Sequence, residues 1–159
     1  MDQLPVSPLK PKTMAALEPQ RGLKIATGNS GTRYRGRDDV TLVVFPAGTT
    51  VAGVFTKSRC PGAPVDWSRQ VLTQGGGTAR ALLVNAGNAN AFTGAHGAQA
   101  CQVTAEAVAK AVGCRPQDVM LSSTGVIGEP LEADAIAAVA TDLAAQATED
   151  DLHAAAQAI

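Results

Sequence analysis

The segment from Val119 to Pro130 constrains the fold of this chain more than any other stretch of its sequence. Its apolar beginning stops abruptly at two serines, a threonine and a glycine, and Gly128 and Pro130 close it. A short apolar run bounded in this way predicts a buried β-strand whose carboxyl end leads into a loop. In that loop, the hydroxyl of Thr124 and the backbone N–H of Gly125 could point at one place, which is the minimum requirement for an oxyanion hole.

The same motif has a simpler interpretation as an ordinary turn. Turns rich in serine and threonine commonly satisfy their own backbone through local side-chain hydrogen bonds. Most such turns have no catalytic role, so these residues alone favour the turn by roughly three to one. A choice between the two interpretations needs the rest of the chain.

Size and composition exclude several classes of protein. A length of 159 residues suits one domain with a hydrophobic core, and an aromatic content of 3% makes that core aliphatic and rich in alanine. The net charge of -1 provides no attraction to nucleic acid or to acidic membranes. Because aromatic residues are scarce, base stacking on aromatic side chains is also unlikely to be used. We therefore expect neither a nucleic-acid-binding nor a membrane-binding protein.

The cysteines and the apolar segments indicate the cellular compartment. Cys60, Cys101 and Cys114 are too few and too scattered for a disulfide framework or a zinc site. Their odd number predicts buried free thiols in a reducing compartment, with no bound metal. No apolar stretch is long enough to span a bilayer, and the N-terminus lacks the apolar region of a secretory signal. The expected location is the cytoplasm.

Short apolar segments predict alternating strands and helices after an extended, proline-rich arm over residues 1–21. The predicted strands are Gly22–Thr27, Val40–Phe45, Val51–Thr56, Ala79–Val84 and Asp118–Leu121. The predicted helices cover 98–112, 131–147 and 148–159, with a short helix or turn at Val65–Leu72. Val51–Thr56 is expected to pair antiparallel with Val40–Phe45 after a short turn.

Individual residues are predicted to begin or end these helices. Asp66 and Ser68 are possible caps of the short helix, and Thr148 is a possible cap of the last one. Gly113 is expected to end the first long helix. The last helix is still unfinished at Ile159, which predicts that the chain continues in the natural protein.

Two polar segments and one histidine have no certain role. The asparagine-rich stretch Asn85–Ala91 follows a predicted strand, and it fits a purely structural turn as well as a loop that lines a site. The three arginines within Thr32–Asp39 are typical of a solvated loop, although an anion site is conceivable. His96 precedes a predicted helix as a lone histidine, and its role stays open.

Four motifs occur in order along the chain: Ala52–Thr56, Ala63–Val65, Val84–Gly94 and Ser122–Leu131. Together they resemble the ornithine acetyltransferase family, the bifunctional glutamate N-acetyltransferases of arginine biosynthesis. The resemblance is unbroken from about Gly22 to Ile159, and two of the motifs are long and unusual. Residues 22–159 therefore resemble an incomplete, N-terminal part of the family's α chain.

The resemblance implies a fold and a reaction. The fold is mixed α/β, with two packed sheets flanked by helices. The family's precursor cleaves itself before a threonine, which becomes the N-terminus of a β chain and the nucleophile. That threonine takes an acetyl group from N-acetylornithine and passes it to glutamate, with its own α-amine as the general base. The implied assembly is an α/β hetero-oligomer without a cofactor, and acetyl-CoA is a possible further substrate.

The resemblance also assigns the oxyanion hole. Carried over to this sequence, its donors are the side-chain hydroxyl of Thr124 and the backbone N–H of Gly125. With the resemblance included, the oxyanion hole becomes the favoured interpretation of the motif. The chain has no Lys-Gly-x-Gly-Met-Thr region, where the family has its nucleophile and cleavage site. We therefore expect this polypeptide alone to be inactive in acetyl transfer.

Two other functions are consistent with the same residues. One is a self-processing amidohydrolase or aminopeptidase that uses an N-terminal nucleophile. The other is a truncated, inactive product that acts only as a structural or assembly partner. An acetyl-transfer assay beside a hydrolysis assay separates the two enzymes, and the reading frame beyond Ile159 tests the third hypothesis.

Overall fold

A computed structural model describes Pro8, Leu9, Thr13 and residues 16–149 and 151–159 of the chain. Most of the predicted proline-rich arm lies outside the described residues. The strands are β1 (Lys24–Gly28), β2 (Val40–Val44), β3 (Ala81–Asn88) and β4 (Val119–Val126). The helices are α1 (Ala63–Gln74), α2 (Gly94–Val112), α3 (Ala133–Gln146) and α4 (Leu152–Ala158), and the 3-10 turn Pro116–Asp118 leads into β4.

The strands form one four-stranded sheet in the order β1-β2-β3-β4. The first two pairings are antiparallel, whereas β3 and β4 are parallel. A parallel pair needs a long crossover connection, and α2 provides it. As a result, β3 and β4 end side by side at the same end of the sheet. The predicted mixed α/β fold is confirmed, but of the two packed sheets that were expected the described residues form one.

The core lies between one face of the sheet and the helices α2 and α3. Ala26, Leu42, Leu83 and Leu121 form a row across the four strands, and each is buried. The same core cluster includes small and aliphatic helix residues, which are Cys101, Ala105, Val108, Ala109, Ile136, Ala140 and Leu143. The core is thus aliphatic and rich in alanine, as the composition predicts.

The predicted strand Val51–Thr56 does not form. Within the described residues this segment has no regular structure, and the side chain of Val54 is 100% exposed. The physical reason is the position of β2, which has β1 on one side and β3 on the other. Both edges of β2 are therefore occupied, and no backbone groups remain to pair with a further strand.

The predicted helix caps are also wrong, except for Gly113. Gly113 ends α2 with a left-handed φ of 75°. The helix α1 begins after Gly62, and neither Asp66 nor Ser68 caps it. The backbone of Thr148 pairs instead with that of Ile25. Tertiary contacts thus use the Ser68 hydroxyl and the Thr148 backbone, whereas Asp66 pairs with Arg69 in its own helix.

The cysteines differ from the prediction in their burial. All three are free thiols, but only Cys101 is buried, whereas Cys114 is half-buried and Cys60 is exposed. Burial raises the pKa of the Cys101 thiol to about 11. None of the helices within residues 16–149 and 151–159 has the length and apolar character needed to cross a membrane.

Candidate active site

The predicted loop at Ser122–Gly125 is part of strand β4. The strand continues to Val126, and its residues from Ser123 onwards pair in register with Asn85–Asn88 of β3. The prediction that the strand ends at Leu121 is therefore wrong, because β3 also extends further than predicted and supplies a backbone partner. Thr124 and Gly125 lie near the ends of two parallel strands, and both are exposed.

Gly125 occupies a position where no side chain fits. Its φ of +134° is unfavourable for other residues, and a Cβ atom would lie 2.2 Å from the carbonyl carbon of Gly87. Gly87 lies opposite in the register and has a φ of +100°, with Arg33 and Tyr34 packed over it. Two glycines thus allow the strand ends to approach closely with an unusual backbone conformation.

The outer edge of β4 is the edge that faces away from β3, and helix α1 covers only its first half. Trp67 Nε1 donates to the Val119 carbonyl at 2.8 Å, and Ser68 Oγ donates to the Leu121 carbonyl at 2.8 Å. Backbone groups alternate in direction along a strand, so Gly125 faces the same outer edge as Val119 and Leu121. The alternate residues of β4 face β3 on the opposite edge, where Ala89 N donates to the Val126 carbonyl at 2.8 Å. The N–H of Gly125 therefore lies at the outer edge, beyond the part that Trp67 and Ser68 cover.

The side chain of Thr124 lies on the sheet face that points away from the core. It shares this face with Met120 and Ser122, because side chains alternate along a strand. A groove of about 460 Å³ runs beside the same strand and reaches Ser122 and Ser123. Much of its wall is apolar and includes Phe55, Val65, Leu82 and Met120. The groove thus ends one residue before the two candidate donors.

A chain of hydrogen bonds links the two strand ends. Ser123 Oγ donates to Asn85 Oδ1 at 2.5 Å, and Asn85 Nδ2 donates to the Asn88 carbonyl at 2.9 Å. Asn88 Nδ2 then donates to the carbonyls of Glu129 and Pro130, at 3.1 and 3.2 Å. These hydrogen bonds connect β3 both to β4 and to the segment that follows β4.

Asn90 belongs to a second group of contacts at the start of α2. Its side chain is fully buried, donates to the Gly97 carbonyl at 3.0 Å and accepts from Thr93 Oγ1 at 2.8 Å. Its backbone N–H donates to Asn88 Oδ1 at 2.7 Å. The asparagine side chains thus bind groups of the protein itself, which favours the structural interpretation of the Asn85–Ala91 segment. The spacing of asparagines in the sequence does not identify these partners.

The other residues singled out in the sequence lie outside these two groups of hydrogen bonds, although Arg33 packs over Gly87. His96 is exposed in the first turn of α2, rather than in the loop before it. Arg33 Nη1 forms an exposed ion pair with Glu129 Oε2 at 3.1 Å. Arg37 stacks on the ring of Tyr34 at 4.3 Å. These contacts agree with the predicted solvated loop at Thr32–Asp39.

The ionisable groups with shifted pKa values lie elsewhere in the fold. Hydrogen bonds from Arg115 lower the pKa of Asp118, at the opposite end of β4. Burial raises the pKa of the Cys101 thiol, which stays protonated near neutral pH. Within the described residues, no three His, Cys, Asp or Glu side chains form a metal-binding cluster. What Thr124 and Gly125 offer a ligand is a pair of neighbouring hydrogen-bond donors.

Comparison with known proteins identifies similar sequences. The model of the ArgJ family matches residues 24–159. The arginine biosynthesis bifunctional protein ArgJ of Rhizobium meliloti is 55% identical over 154 residues. The protein of the same name from Bradyrhizobium diazoefficiens is 53% identical over 154 residues. Each alignment covers 97% of this chain but 37% of the relative, so the chain spans little more than a third of their length.

Two solved structures share the fold. An ornithine acetyltransferase complexed with ornithine, from Mycobacterium tuberculosis, has a TM-score of 0.80 and 35% sequence identity. That alignment covers 89% of this chain and 76% of the solved chain. The arginine biosynthesis bifunctional protein from Bacillus halodurans has a TM-score of 0.78 and 28% identity, with coverages of 87% and 72%.

Proposed function

The chain belongs to the ArgJ family, and we propose that it carries the oxyanion hole of an acetyltransferase. The reaction moves an acetyl group from N-acetylornithine to glutamate in arginine biosynthesis. The donors are the hydroxyl of Thr124 and the backbone N–H of Gly125. The observation that carries this proposal is the position of both donors, which are neighbours at an exposed strand end.

The chemistry requires donors of this kind. A nucleophilic threonine oxygen attacks the acetyl carbonyl carbon, and its proton passes to the threonine's own α-amine. Negative charge then develops on the acetyl carbonyl oxygen, where two hydrogen-bond donors stabilise it. When the tetrahedral intermediate collapses, the bond to the ornithine nitrogen breaks and that amine leaves with the proton. Glutamate's amine attacks the resulting ester in the second half of the cycle and carries away the acetyl group.

The local structure supports preorganised donors. Both residues lie in β4, which is paired with β3 rather than free as a loop. Donors held on a paired strand need little reorganisation when charge develops, and this is the source of the catalytic effect. The neighbouring groove gives the acetylated substrate a partly apolar surface next to them.

The remaining parts of the enzyme belong to a longer protein. We propose that the nucleophilic threonine lies outside these 159 residues, in a β chain that assembles with this one into an α/β hetero-oligomer. The names of the relatives support a role in arginine biosynthesis, and ornithine is present in the structure from Mycobacterium tuberculosis. Since this chain spans 37% of those relatives, it is expected to be inactive alone.

An exchange experiment tests the proposal directly. This chain replaces the matching segment of the full-length Rhizobium meliloti relative, and we call the product the exchange chimera. We expect the chimera to form N-acetylglutamate from N-acetylornithine and glutamate, with release of ornithine. An inactive chimera that is folded would contradict the proposal.

The same experiment distinguishes the other two hypotheses. An oxyanion hole would serve an amidohydrolase equally well, because hydrolysis passes through a similar intermediate. Ornithine release without glutamate acetylation would favour that hydrolase. An inactive structural partner would leave the chimera without either activity.

A further inference from the structure

We propose that Ser123, Asn85 and Asn88 are positioning residues for the donors Thr124 and Gly125. The inference rests on the proposed function, since it concerns the same oxyanion hole. The three side chains form the positioning chain, which runs from β4 through β3 to the segment after β4. They act on the two donors through the backbone that carries them.

The positioning chain begins immediately before the first donor. Ser123 precedes Thr124 and donates to Asn85 Oδ1 at 2.5 Å. Asn85 is only 4% exposed, so this acceptor lies within the packed end of the core. A hydrogen bond to a buried side chain restricts the strand more than one to a mobile surface group. The bond therefore fixes the direction in which β4 reaches Thr124.

The next hydrogen bond of the positioning chain lies beside the second donor, Gly125. Asn85 Nδ2 donates to the Asn88 carbonyl at 2.9 Å, one residue beyond Gly87. Gly87 is the register partner of Gly125. The end of β3 that lies against Gly125 is thereby tied to the same buried amide as Ser123.

The positioning chain closes on the segment after β4. Asn88 Nδ2 donates to the carbonyls of Glu129 and Pro130, while its Oδ1 accepts from Asn90 N at 2.7 Å. The acceptor role of Oδ1 orients the amide so that Nδ2 faces the two carbonyls. Hydrogen bonds therefore restrain the backbone both before and after the donor pair, while the donors themselves stay exposed.

Glycine makes this support necessary. Gly125 lacks a Cβ atom, so its backbone can adopt more conformations than any other residue. An oxyanion hole works only when its donors keep their position, and small displacements cost large factors in rate. The restriction that Gly125 cannot supply itself must come from neighbouring residues, and the positioning chain supplies it.

The test uses two variants of the exchange chimera. Ser123→Ala removes the first hydrogen bond. Asn88→Asp keeps an acceptor for Asn90 N but replaces the donor to the Glu129 and Pro130 carbonyls with a carboxylate oxygen. We expect each variant to lower kcat roughly 10- to 100-fold, with little change in KM for either substrate. Ser123→Thr restores a hydroxyl and is expected to recover most of the rate.

A matched control separates positioning from stability. Ser68→Ala also removes a hydroxyl bound to the β4 backbone, but at Leu121, three residues before Thr124. We expect it to lower the melting temperature and to lower kcat far less than Ser123→Ala does. The inference is overturned if folded Ser123→Ala and Asn88→Asp keep the parent kcat, or lose no more than Ser68→Ala. If Thr124→Ala also keeps full turnover, the proposed function fails instead.

Discussion

Gly87 and Gly125 lie opposite each other at the ends of two parallel strands, and both have positive φ angles. A Cβ atom on Gly125 would lie 2.2 Å from the Gly87 carbonyl carbon and 2.5 Å from Asn88 N. The close approach of the two strand ends thus depends on glycine at position 125, which has no side chain. Several consequences of this contact and of its surroundings can be measured.

Replacing Gly125 with alanine in the exchange chimera is expected to destabilise the protein and to abolish most of the chimera's acetyl-transfer activity. The added methyl group must push β3 away from β4, and overpacking typically costs about 1–3 kcal/mol. Left-handed backbone strain adds about 1–2 kcal/mol. Denaturant unfolding and the acetyl-transfer assay measure both effects. Gly128→Ala is the control, because Gly128 also has a positive φ but has nothing within 4 Å of its Cβ position. Equal losses in the two variants would show that the clash is unimportant.

The Thr124→Ala variant of the exchange chimera is expected to lose turnover while keeping its fold. Removal of one oxyanion donor typically lowers kcat by about 100- to 1000-fold. The side chain is exposed, so stability should change by less than about 0.5 kcal/mol. Steady-state kinetics and thermal melts test this expectation, with Thr141→Ala, at an exposed threonine of α3, as the control. Full turnover in Thr124→Ala would reject the assignment.

Ser68→Ala is expected to destabilise the sheet at its outer edge. The Ser68 hydroxyl donates to the Leu121 carbonyl at 2.8 Å and accepts from Leu121 N at 3.1 Å. Its loss leaves two buried backbone groups without this partner, at a cost of about 1–3 kcal/mol. Thr73→Ala is the control, because Thr73 is an exposed residue of the same helix that bonds only helix carbonyls. Urea unfolding that shows the same small loss in both variants would contradict the expectation.

Acidification is expected to remove a stabilising contribution of Asp118. The Arg115 guanidinium donates to both carboxylate oxygens, at 2.7 and 3.0 Å, and holds the pKa of Asp118 below its usual 3.8. A carboxyl with a lowered pKa in the folded state stabilises the fold above its unfolded pKa. That stabilisation is lost as the pH falls through the folded pKa. The stability difference between the parent and Asp118→Asn should therefore be constant above about pH 5 and shrink below about pH 4.

Unfolding measurements across that pH range test the prediction. Asp142→Asn, at an exposed position in α3, serves as the control variant. A stability difference for Asp118→Asn that does not change between pH 7 and the acid limit would exclude the proposed linkage.

The cysteines are expected to react with a thiol reagent in the order of their exposure. Cys60 is exposed, whereas burial raises the pKa of the Cys101 thiol to about 11. At pH 8, roughly one Cys101 thiol in a thousand is the reactive thiolate. Mass spectrometry of the partly labelled protein should find Cys60 modified first and Cys101 only after unfolding. Cys60→Ser removes the fast phase, and rapid labelling of Cys101 in the folded protein would contradict its burial.

Local patterns in the sequence determined a substantial part of this structure. The β-branched segment at β2 and the amphipathic pattern of α3 predict these elements, and Gly113 marks the end of α2. Such features depend on neighbours within a few residues, so they can be recognised in the sequence. The four motifs likewise sufficed to identify the family, since two of them are long and all four retain their order.

Other features depended on contacts between distant residues. The segment Val51–Thr56 has the pattern of a strand, yet β2 offers it no free edge. Ser68 resembles a helix cap, but its hydroxyl binds Leu121, 53 residues away. Polar groups and strand edges bind whichever partner the fold brings near, and local spacing does not specify that partner.

The candidate site shows the same division. The sequence by itself determined the residue types, a threonine followed by a glycine, and the family to which they point. Only the tertiary structure decided that Thr124 and Gly125 lie in a paired strand, beyond the cover of α1 and flanked by the hydrogen-bonded side chains of Ser123, Asn85 and Asn88. The reason is physical: a hydrogen-bond donor is defined by its residue, whereas its direction is set by the strands packed around it.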